Sequence, residues 1–181
     1  MKRAVFLDRD GTLIEDKDYL HRPEDVVIFP GVVEALKRLQ DAGFLLFIVT
    51  NQSGIGRGYF TMEDCEHVHR HLEQKLGKAA VRLTKIYIAP EAPDRPSRGR
   101  KPSPKFLFDA RDEFGVDLQR SYMVGDKLID LECGWNAKTR NSLLVRTGYG
   151  AKFAKSDSEI GKRAVIVDDL PAAADWILRN A

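Results

Sequence analysis

Cysteine is scarce in this chain, with Cys65 and Cys133 the only two among 181 residues. Two thiols cannot form a disulfide framework, nor can they supply a thiolate zinc site by themselves. Long apolar runs are missing as well, and none approaches the ~18 residues that span a bilayer. Charge of one sign is also lacking. The 29 basic residues against 27 acidic ones leave a formal net charge of +2, without the basic excess of a general nucleic-acid binder. The start, Met1-Lys2-Arg3-Ala4-Val5-Phe6-Leu7, is basic and then apolar like a secretory signal. Its apolar part stops after four residues at Asp8, short of the ~7–15 that a signal needs. These absences lead to the expectation of a cytoplasmic monomer that engages neither nucleic acid nor membrane. What is present, 43% hydrophobic and 31% charged residues, is the composition of an ordinary soluble globular protein. At roughly 100–200 residues per domain, the length points to one domain over residues 1–181, able to bury about 70% of its unfolded surface without staples.

Short apolar runs alternate with helical patterns from end to end. Ala4–Leu7, Phe44–Val49, Thr84–Ala89, Ser121–Val124, Ser142–Val145 and Ala164–Val167 have the length and β-branched or aromatic content of strands buried on both faces. Val32, Ala35, Leu36 and Leu39 follow helical spacing between Pro30-Gly31 and Gly43. Thr61 is placed to N-cap a helix carrying Cys65, Val68, Leu72 and Leu76 and ending at Gly77. Ser103-Pro104 reads as an N-cap followed by proline at the first helical position, with Gly115 closing that helix. Leu128–Ala137 and Pro171–Arg179 are further candidates. The alternation predicts an α/β fold, a parallel sheet with right-handed crossovers and helices on both faces. Three connections are unusually long, Glu15–Phe29, Asn51–Phe60 and Pro90–Pro102, and ordered loops of that length tend to carry function.

In such a sheet, ligands bind beyond the carboxyl ends of the strands. After the first strand stands Asp8-Arg9-Asp10-Gly11-Thr12, and after the second Thr50-Asn51-Gln52-Ser53. The loop after the third contains Arg100-Lys101-Pro102, and after the fourth come Gly125-Asp126-Lys127 and Asp130. Hard carboxylates, hydroxyl and amide donors, and a cation thus meet at one sheet edge, an inventory that suits a phosphoryl group and Mg²⁺. Asp8 has the chemistry to attack phosphorus, and Lys101 to neutralise the phosphate oxygens. Asp10, before a turn-permitting glycine, can protonate the leaving group and later deprotonate water. Thr50 and nearby backbone N–H groups can hold non-bridging oxygens, and Asp130 can orient the metal site. Singly, each residue has an ordinary explanation as a turn former, a helix cap or a solvated pair. Their order at successive strand ends is what argues for a site.

These four motifs resemble those of the haloacid dehalogenase superfamily, mostly Mg²⁺-dependent phosphatases. The resemblance implies a Rossmann-like doubly wound sheet, here with no stretch long enough for a separate cap domain, Asp8 as nucleophile, Asp10 as general acid and base, and Mg²⁺ held by Asp8, the backbone carbonyl of Asp10, and Asp126. The longer stretches Val49-Thr50-Asn51-Gln52-Ser53-Gly54-Ile55, Arg57-Gly58, Arg100-Lys101-Pro102 and Tyr122-Met123-Val124-Gly125-Asp126-Lys127 are similar to the branch acting on sugar bisphosphates and histidinol phosphate. That likeness implies removal of the 7-phosphate from a heptose 1,7-bisphosphate. The alternatives are another small-metabolite substrate such as histidinol phosphate, or a non-catalytic relative that only binds phosphorylated ligands. Dehalogenase chemistry needs no metal and leaves the Asp10 and Asp126 pair unexplained. The likeness further implies substrate contacts from Asp16–Tyr19, Thr50–Ser53, Arg100, Lys101 and Lys127.

One departure stands out. Many members carry zinc on cysteines and a histidine before Arg-Lys-Pro, whereas Ala89–Gly99 has neither Cys nor His, so no zinc is expected there. Its prolines are expected to help order the loop instead. A second phosphate is expected to meet Arg57, Arg100, Lys101 and Lys127, with Arg95, Arg98 and Lys105 further away. His21 and Arg22 belong to the first long loop, where His21 is expected at the surface. Cys65 and Cys133 are expected to be packed residues.

Overall fold

The computed structural model describes residues 1–156 and 160–181. One parallel sheet runs in the order β3-β2-β1-β4-β5-β6. Its strands are β1 Arg3–Leu7, β2 Phe44–Asn51, β3 Lys85–Ala89, β4 Tyr122–Gly125, β5 Asn141–Val145 and β6 Val165–Val167. All six fall on the apolar runs read from the sequence, with ends shifted by two residues or fewer. The strand order reverses at β1, which pairs with β2 on one side and β4 on the other. Leu7 lies opposite both Ile48 and Val124, and Asp8 N donates to Val124 O at 2.9 Å. The chain segments following β1 and β4 therefore emerge side by side, at the crevice where α/β sheets bind ligands.

The helices are α1 Val32–Asp41, α2 Ser53–Gly56, α3 Met62–Gly77, α4 Lys105–Phe114, α5 Leu128–Asn136, α6 Gly150–Ser156, α7 Ile160–Arg163 and α8 Leu170–Asn180. Successive side chains on a strand point to opposite faces. Val5, Leu7, Leu46, Ile48 and Val124 accordingly pack with Leu36 of α1, Leu72 of α3 and Ile177 of α8. Ala4, Phe6, Phe47 and Met123 pack on the other side with Leu107 of α4 and Cys133 of α5. Because both faces are covered, the strands read as unbroken apolar runs rather than alternating patterns.

Thr61 caps α3 as expected. Its Oγ1 accepts from Asp64 N at 3.1 Å, while Asp64 Oδ2 accepts from Thr61 N at 2.8 Å. This reciprocal pair satisfies two donors that the helix start would otherwise leave open. The start of α4 corrects the sequence reading by one residue. Pro104, not Ser103, is the N-cap, because its carbonyl is the first acceptor in the helix, taking the N–H groups of Leu107 and Phe108 at 3.0 and 3.1 Å. Gly115 closes α4 in the left-handed region at φ 69°. The short helices α2, α6 and α7, and the 3₁₀ turns Pro23–Asp25 and Leu118–Arg120, are too brief to show a periodic stripe. Among the described residues, no helix is long and apolar enough to cross a membrane.

Candidate active site

Asp8 follows β1, Asp126 follows β4, and the first turn of α5 brings back Asp130. One carboxylate oxygen from each lies within 4.8 Å of the other two, and all three residues are buried. Lys101 reaches this trio from the loop after β3. Its Nζ stands 2.5 Å from Asp8 Oδ1 and 2.6 Å from Asp130 Oδ1. The other oxygen of Asp130, Oδ2, accepts from Lys127 N at 2.9 Å, so both of its oxygens are engaged by the protein. Lys127 Nζ lies 3.2 Å from Asp16 Oδ2, 4.0 Å from Asp126 Oδ1 and 4.9 Å from the centre of the Tyr149 ring.

Asp126 is packed from both sides by backbone. Its Oδ2 accepts from Tyr149 N at 2.8 Å, while Oδ1 is buried with no hydrogen-bond partner. A Cβ at either Gly11 or Gly148 would fall 2.3 Å from Asp126 Oδ2, and the two glycines adopt φ 84° and 55°. Close approach and left-handed backbone thus both demand glycine there. Thr147 Oγ1 donates to Gly11 O at 2.6 Å and ties these two segments together.

Burial dominates the electrostatics. It pushes Asp8 up to about 6 against the pull of Lys101, and burial together with Asp8 pushes Asp126 up to about 8. Lys101 is raised despite burial, by Asp130 and then Asp8. Lys127 is raised despite burial, by Asp8, Asp126 and Asp16. Two crowded carboxylates that resist ionisation, Asp8 and Asp126, with Asp126 Oδ1 buried and lacking a hydrogen-bond partner, form a hard-oxygen site short of positive charge. Those donors suit Mg²⁺, which takes one or two protein carboxylates and completes its shell with water and phosphate.

Asp10 is held differently. Arg9 Nε donates to its Oδ2 and Arg9 NH2 to its Oδ1, both at 3.0 Å, and Gln52 Nε2 donates to Oδ2 at 2.9 Å. Burial raises its pKa, but the Arg9 charge and hydrogen bonds outweigh this and bring it below the usual carboxylate range. A cleft of about 280 Å³ opens here, lined by Asp10, Asp16, Tyr19, Gln52, Ser53 and Lys127 among others. A recess of about 40 Å³ lies against Asp8, Lys101 and Asp130 and shares Asp10, Asn51 and Lys127 with the cleft.

The sequence-predicted residues do not all face the same way. Thr50 is buried and its Oγ1 accepts from Gln52 Nε2 at 2.7 Å. The side-chain amide of Asn51 bonds the backbone of Lys101. The four cations expected around a second phosphate divide into two places. Lys101 and Lys127 line the recess, whereas Arg57 and Arg100 line neither it nor the cleft. Arg100 is half-buried, with NH1 donating to Glu91 O at 3.3 Å, and burial and then the nearby Arg57 lower its pKa. The loop after β3 is tied by ordinary hydrogen bonds. Ser97 Oγ donates to Glu91 Oε2 at 2.5 Å and accepts from Arg100 N at 3.1 Å, and Gly56 N donates to Pro90 O at 2.8 Å. Arg98 pairs with Asp109 at 2.8 Å. His21 stacks on Phe60 with ring centres 5.5 Å apart. Both cysteines are buried and free; Cys133 Sγ donates to Ser103 O at 3.3 Å.

Two groups of residues escaped the sequence reading. Thr147, Gly148 and Tyr149 follow β5, and extending the strand-end test to that strand would have found them. His69, on α3 and in contact with Arg9, gave no signal beyond falling next to an apolar stripe.

The sequence model described as haloacid dehalogenase-like hydrolase matches residues 19–137. A D-glycero-beta-D-manno-heptose-1,7-bisphosphate 7-phosphatase from Yersinia pestis is 37% identical over 98% of this chain and 90% of its own length. The protein of the same name from Escherichia coli K12 is 36% identical over 98% of this chain and 88% of its own length. The fold is also similar to a crystal structure of D,D-heptose 1,7-bisphosphate phosphatase from B. bronchiseptica complexed with magnesium and phosphate. That similarity has a TM-score of 0.91, with 30% identity over 99% of each chain.

Proposed function

The chain belongs to the haloacid dehalogenase-like hydrolases, and from that membership we propose that it is a Mg²⁺-dependent phosphatase removing the 7-phosphate of D-glycero-D-manno-heptose 1,7-bisphosphate. The observation that carries the proposal is the buried trio Asp8, Asp126 and Asp130 with Lys101 between two of its members, at the sheet's switch point. The named relatives, alike over nearly the whole chain, supply the substrate. The same reading treats residues 1–181 as one catalytic domain working in the cytoplasm, in the making of ADP-heptose for the lipopolysaccharide core.

In this mechanism Asp8 attacks phosphorus, forming an aspartyl phosphate as the bond from phosphorus to the sugar oxygen breaks. Asp10 gives its proton to that departing oxygen. It later takes a proton from the water that attacks the phosphoryl group, so that phosphate leaves and Asp8 is restored. Asp10 Oδ2 already accepts from Arg9 and Gln52, whereas Oδ1 accepts only from Arg9. A carboxylate oxygen has about two lone-pair sites, so Oδ1 is the atom with room for the proton. Lys101 offsets the charge gathering between Asp8 and the phosphate oxygens, and the Thr50 hydroxyl and neighbouring N–H groups hold the non-bridging oxygens. Asp8 and Asp126 side chains, with the Asp10 backbone carbonyl as the family resemblance implies, would hold Mg²⁺, which supplies further charge neutralisation when bound.

Asp16, Tyr19, Gln52, Ser53 and Lys127 line the cleft that would take the sugar. Arg57 and Arg100, near each other but outside the lining of the cleft, offer planar forks suited to a second phosphate. Phosphate release by the purified chain with Mg²⁺, from both anomers of the bisphosphate and from histidinol phosphate, tests the substrate. Higher kcat/KM on histidinol phosphate would overturn the heptose assignment, and no release from any phosphate monoester would overturn the reaction class.

A further inference from the structure

Arg9 stands between the two aspartates of the first motif and borders the cleft, yet it is closed off from solvent. Its relative exposure is 0%. Nε and NH2 form a two-pronged contact with the Asp10 carboxylate. That leaves NH1, which meets His69 Nε2 at 3.0 Å and Cys65 Sγ at 3.9 Å, both on α3. A guanidinium has donors and no acceptor, so His69 Nε2 must present its lone pair, with the ring proton on Nδ1. Burial and then the Arg9 charge press the His69 pKa down to about 3, consistent with a neutral ring that only accepts. The sulfur is a weak acceptor at that distance, which makes His69 the principal partner of NH1.

We infer that His69 is a positioning residue for proton transfer: by accepting from Arg9 NH1 it fixes the guanidinium plane, and through the fork it fixes the Asp10 carboxylate. A buried donor without an acceptor carries the full cost of its desolvation. Without His69, NH1 turns towards any acceptor or water it can reach. The fork turns with it, because the guanidinium is rigid and planar. Asp10 then loses the setting that presents Oδ1 to the cleft, while Asp8, Lys101 and Asp126 stay where they are. Among the described residues His69 is hydrogen-bonded to Arg9 and Cys65 and does not itself line the cleft, so substrate binding is not its task.

This inference rests on the phosphatase reading with Asp10 as proton donor, and leaving groups separate the two. A sugar alkoxide needs a proton to depart, whereas 4-nitrophenolate leaves without one. The measurement is leaving-group release in single turnovers with enzyme in excess, on heptose bisphosphate and on 4-nitrophenyl phosphate, so that only the first displacement is seen. In His69→Leu, sugar release is expected to slow roughly ten- to a hundredfold, as for a misplaced catalytic group. Release of 4-nitrophenol should change by less than about threefold, with steady-state KM for the bisphosphate also within about threefold. His69→Gln carries an amide oxygen near the position of Nε2 and is expected to restore sugar release to within about threefold of the unmodified enzyme. Should the leucine variant not fold, His69→Met, also without a strong acceptor, takes its place in the same comparison. Equal slowing of both leaving groups, no slowing of either, or a glutamine variant no better than leucine would each overturn the role of His69. Asp10→Asn runs alongside. If it discriminates between leaving groups and His69→Leu does not, the positioning role alone falls. If it does not discriminate, the donor role of Asp10 falls and that of His69 with it.

Discussion

Asn51 gives both ends of its side-chain amide to the backbone of Lys101: Oδ1 accepts from Lys101 N at 3.0 Å and Nδ2 donates to Lys101 O at 3.2 Å. The end of β2 thereby grips the loop that delivers the ammonium to Asp8. Asn51→Ala should lower kcat by roughly ten- to a hundredfold through misplacement of Lys101, with a smaller change in KM. Steady-state kinetics would show this, and a rise in KM at constant kcat would instead mark Asn51 as a substrate contact.

Asp8 and Lys101 should respond in opposite ways to neutral replacement. Asp8→Asn removes one of three crowded carboxylates, so turnover is abolished while the metal-free variant melts no lower than the unmodified chain. Lys101→Met leaves Asp8 and Asp130 without their buried cation, and breaking such a pair costs about 3–5 kcal/mol. Thermal melts without metal would separate the two; appreciable activity in Asp8→Asn would refute covalent catalysis.

The raised carboxylates also set a pH dependence. Asp8 and Asp126 titrate at about 6 and 8 in the folded chain rather than at 3.8. The folded state therefore binds more protons than the unfolded one across that window. The stability they contribute is fully present below about pH 4 and is lost as pH rises through the folded values. His69 acts in the opposite sense, but only below its ordinary pKa of 6.5. From about pH 6.5 to 8.5 the metal-free melting temperature should fall, and saturating Mg²⁺ should remove most of the fall. Asp126→Asn should flatten the metal-free curve; an unchanged slope would remove Asp126 as its source.

Gly148→Ala would set a methyl group 2.3 Å from Asp126 Oδ2 and 2.7 Å from Gly11 Cα. Overpacking of this kind costs about 1–3 kcal/mol, and displacement of Asp126 should weaken Mg²⁺ activation. A melt together with a Mg²⁺ titration of activity measures both effects.

Arg57→Ala and Arg100→Ala should raise KM for the bisphosphate by roughly tenfold each, the loss of one charge-assisted contact, while leaving 4-nitrophenyl phosphate untouched. Equal losses on both substrates would place these arginines at the reacting phosphate.

The strands were legible because burial on both faces makes each one a short apolar run, and Asp8, Lys101 and Asp126 because each stands just beyond a strand or in the loop that follows one. Three kinds of feature were not. The N-cap of α4 is decided by which carbonyl the helix bonds first, and Ser103-Pro104 supports either reading. The dual engagement of Asn51 depends on how a distant loop returns to β2. The contact between Arg9 and His69 joins residues 60 positions apart, and a histidine beside an apolar stripe looks the same whether it packs or accepts a hydrogen bond. Backbone periodicity reports which face is buried, and it carries no information on the partner found there.

Asp130 Oδ1 meets Lys101 Nζ at 2.6 Å and its Oδ2 accepts from Lys127 N at 2.9 Å, which leaves Asp8 and Asp126 as the two carboxylates proposed for a divalent ion. Mg²⁺ held there would take water or phosphate oxygens where protein donors do not reach. Ion and ester sharing those oxygens would each raise the affinity for the other by the same factor. On that proposal the protein would be less a permanent store of metal than a seat completed by ion and ester together.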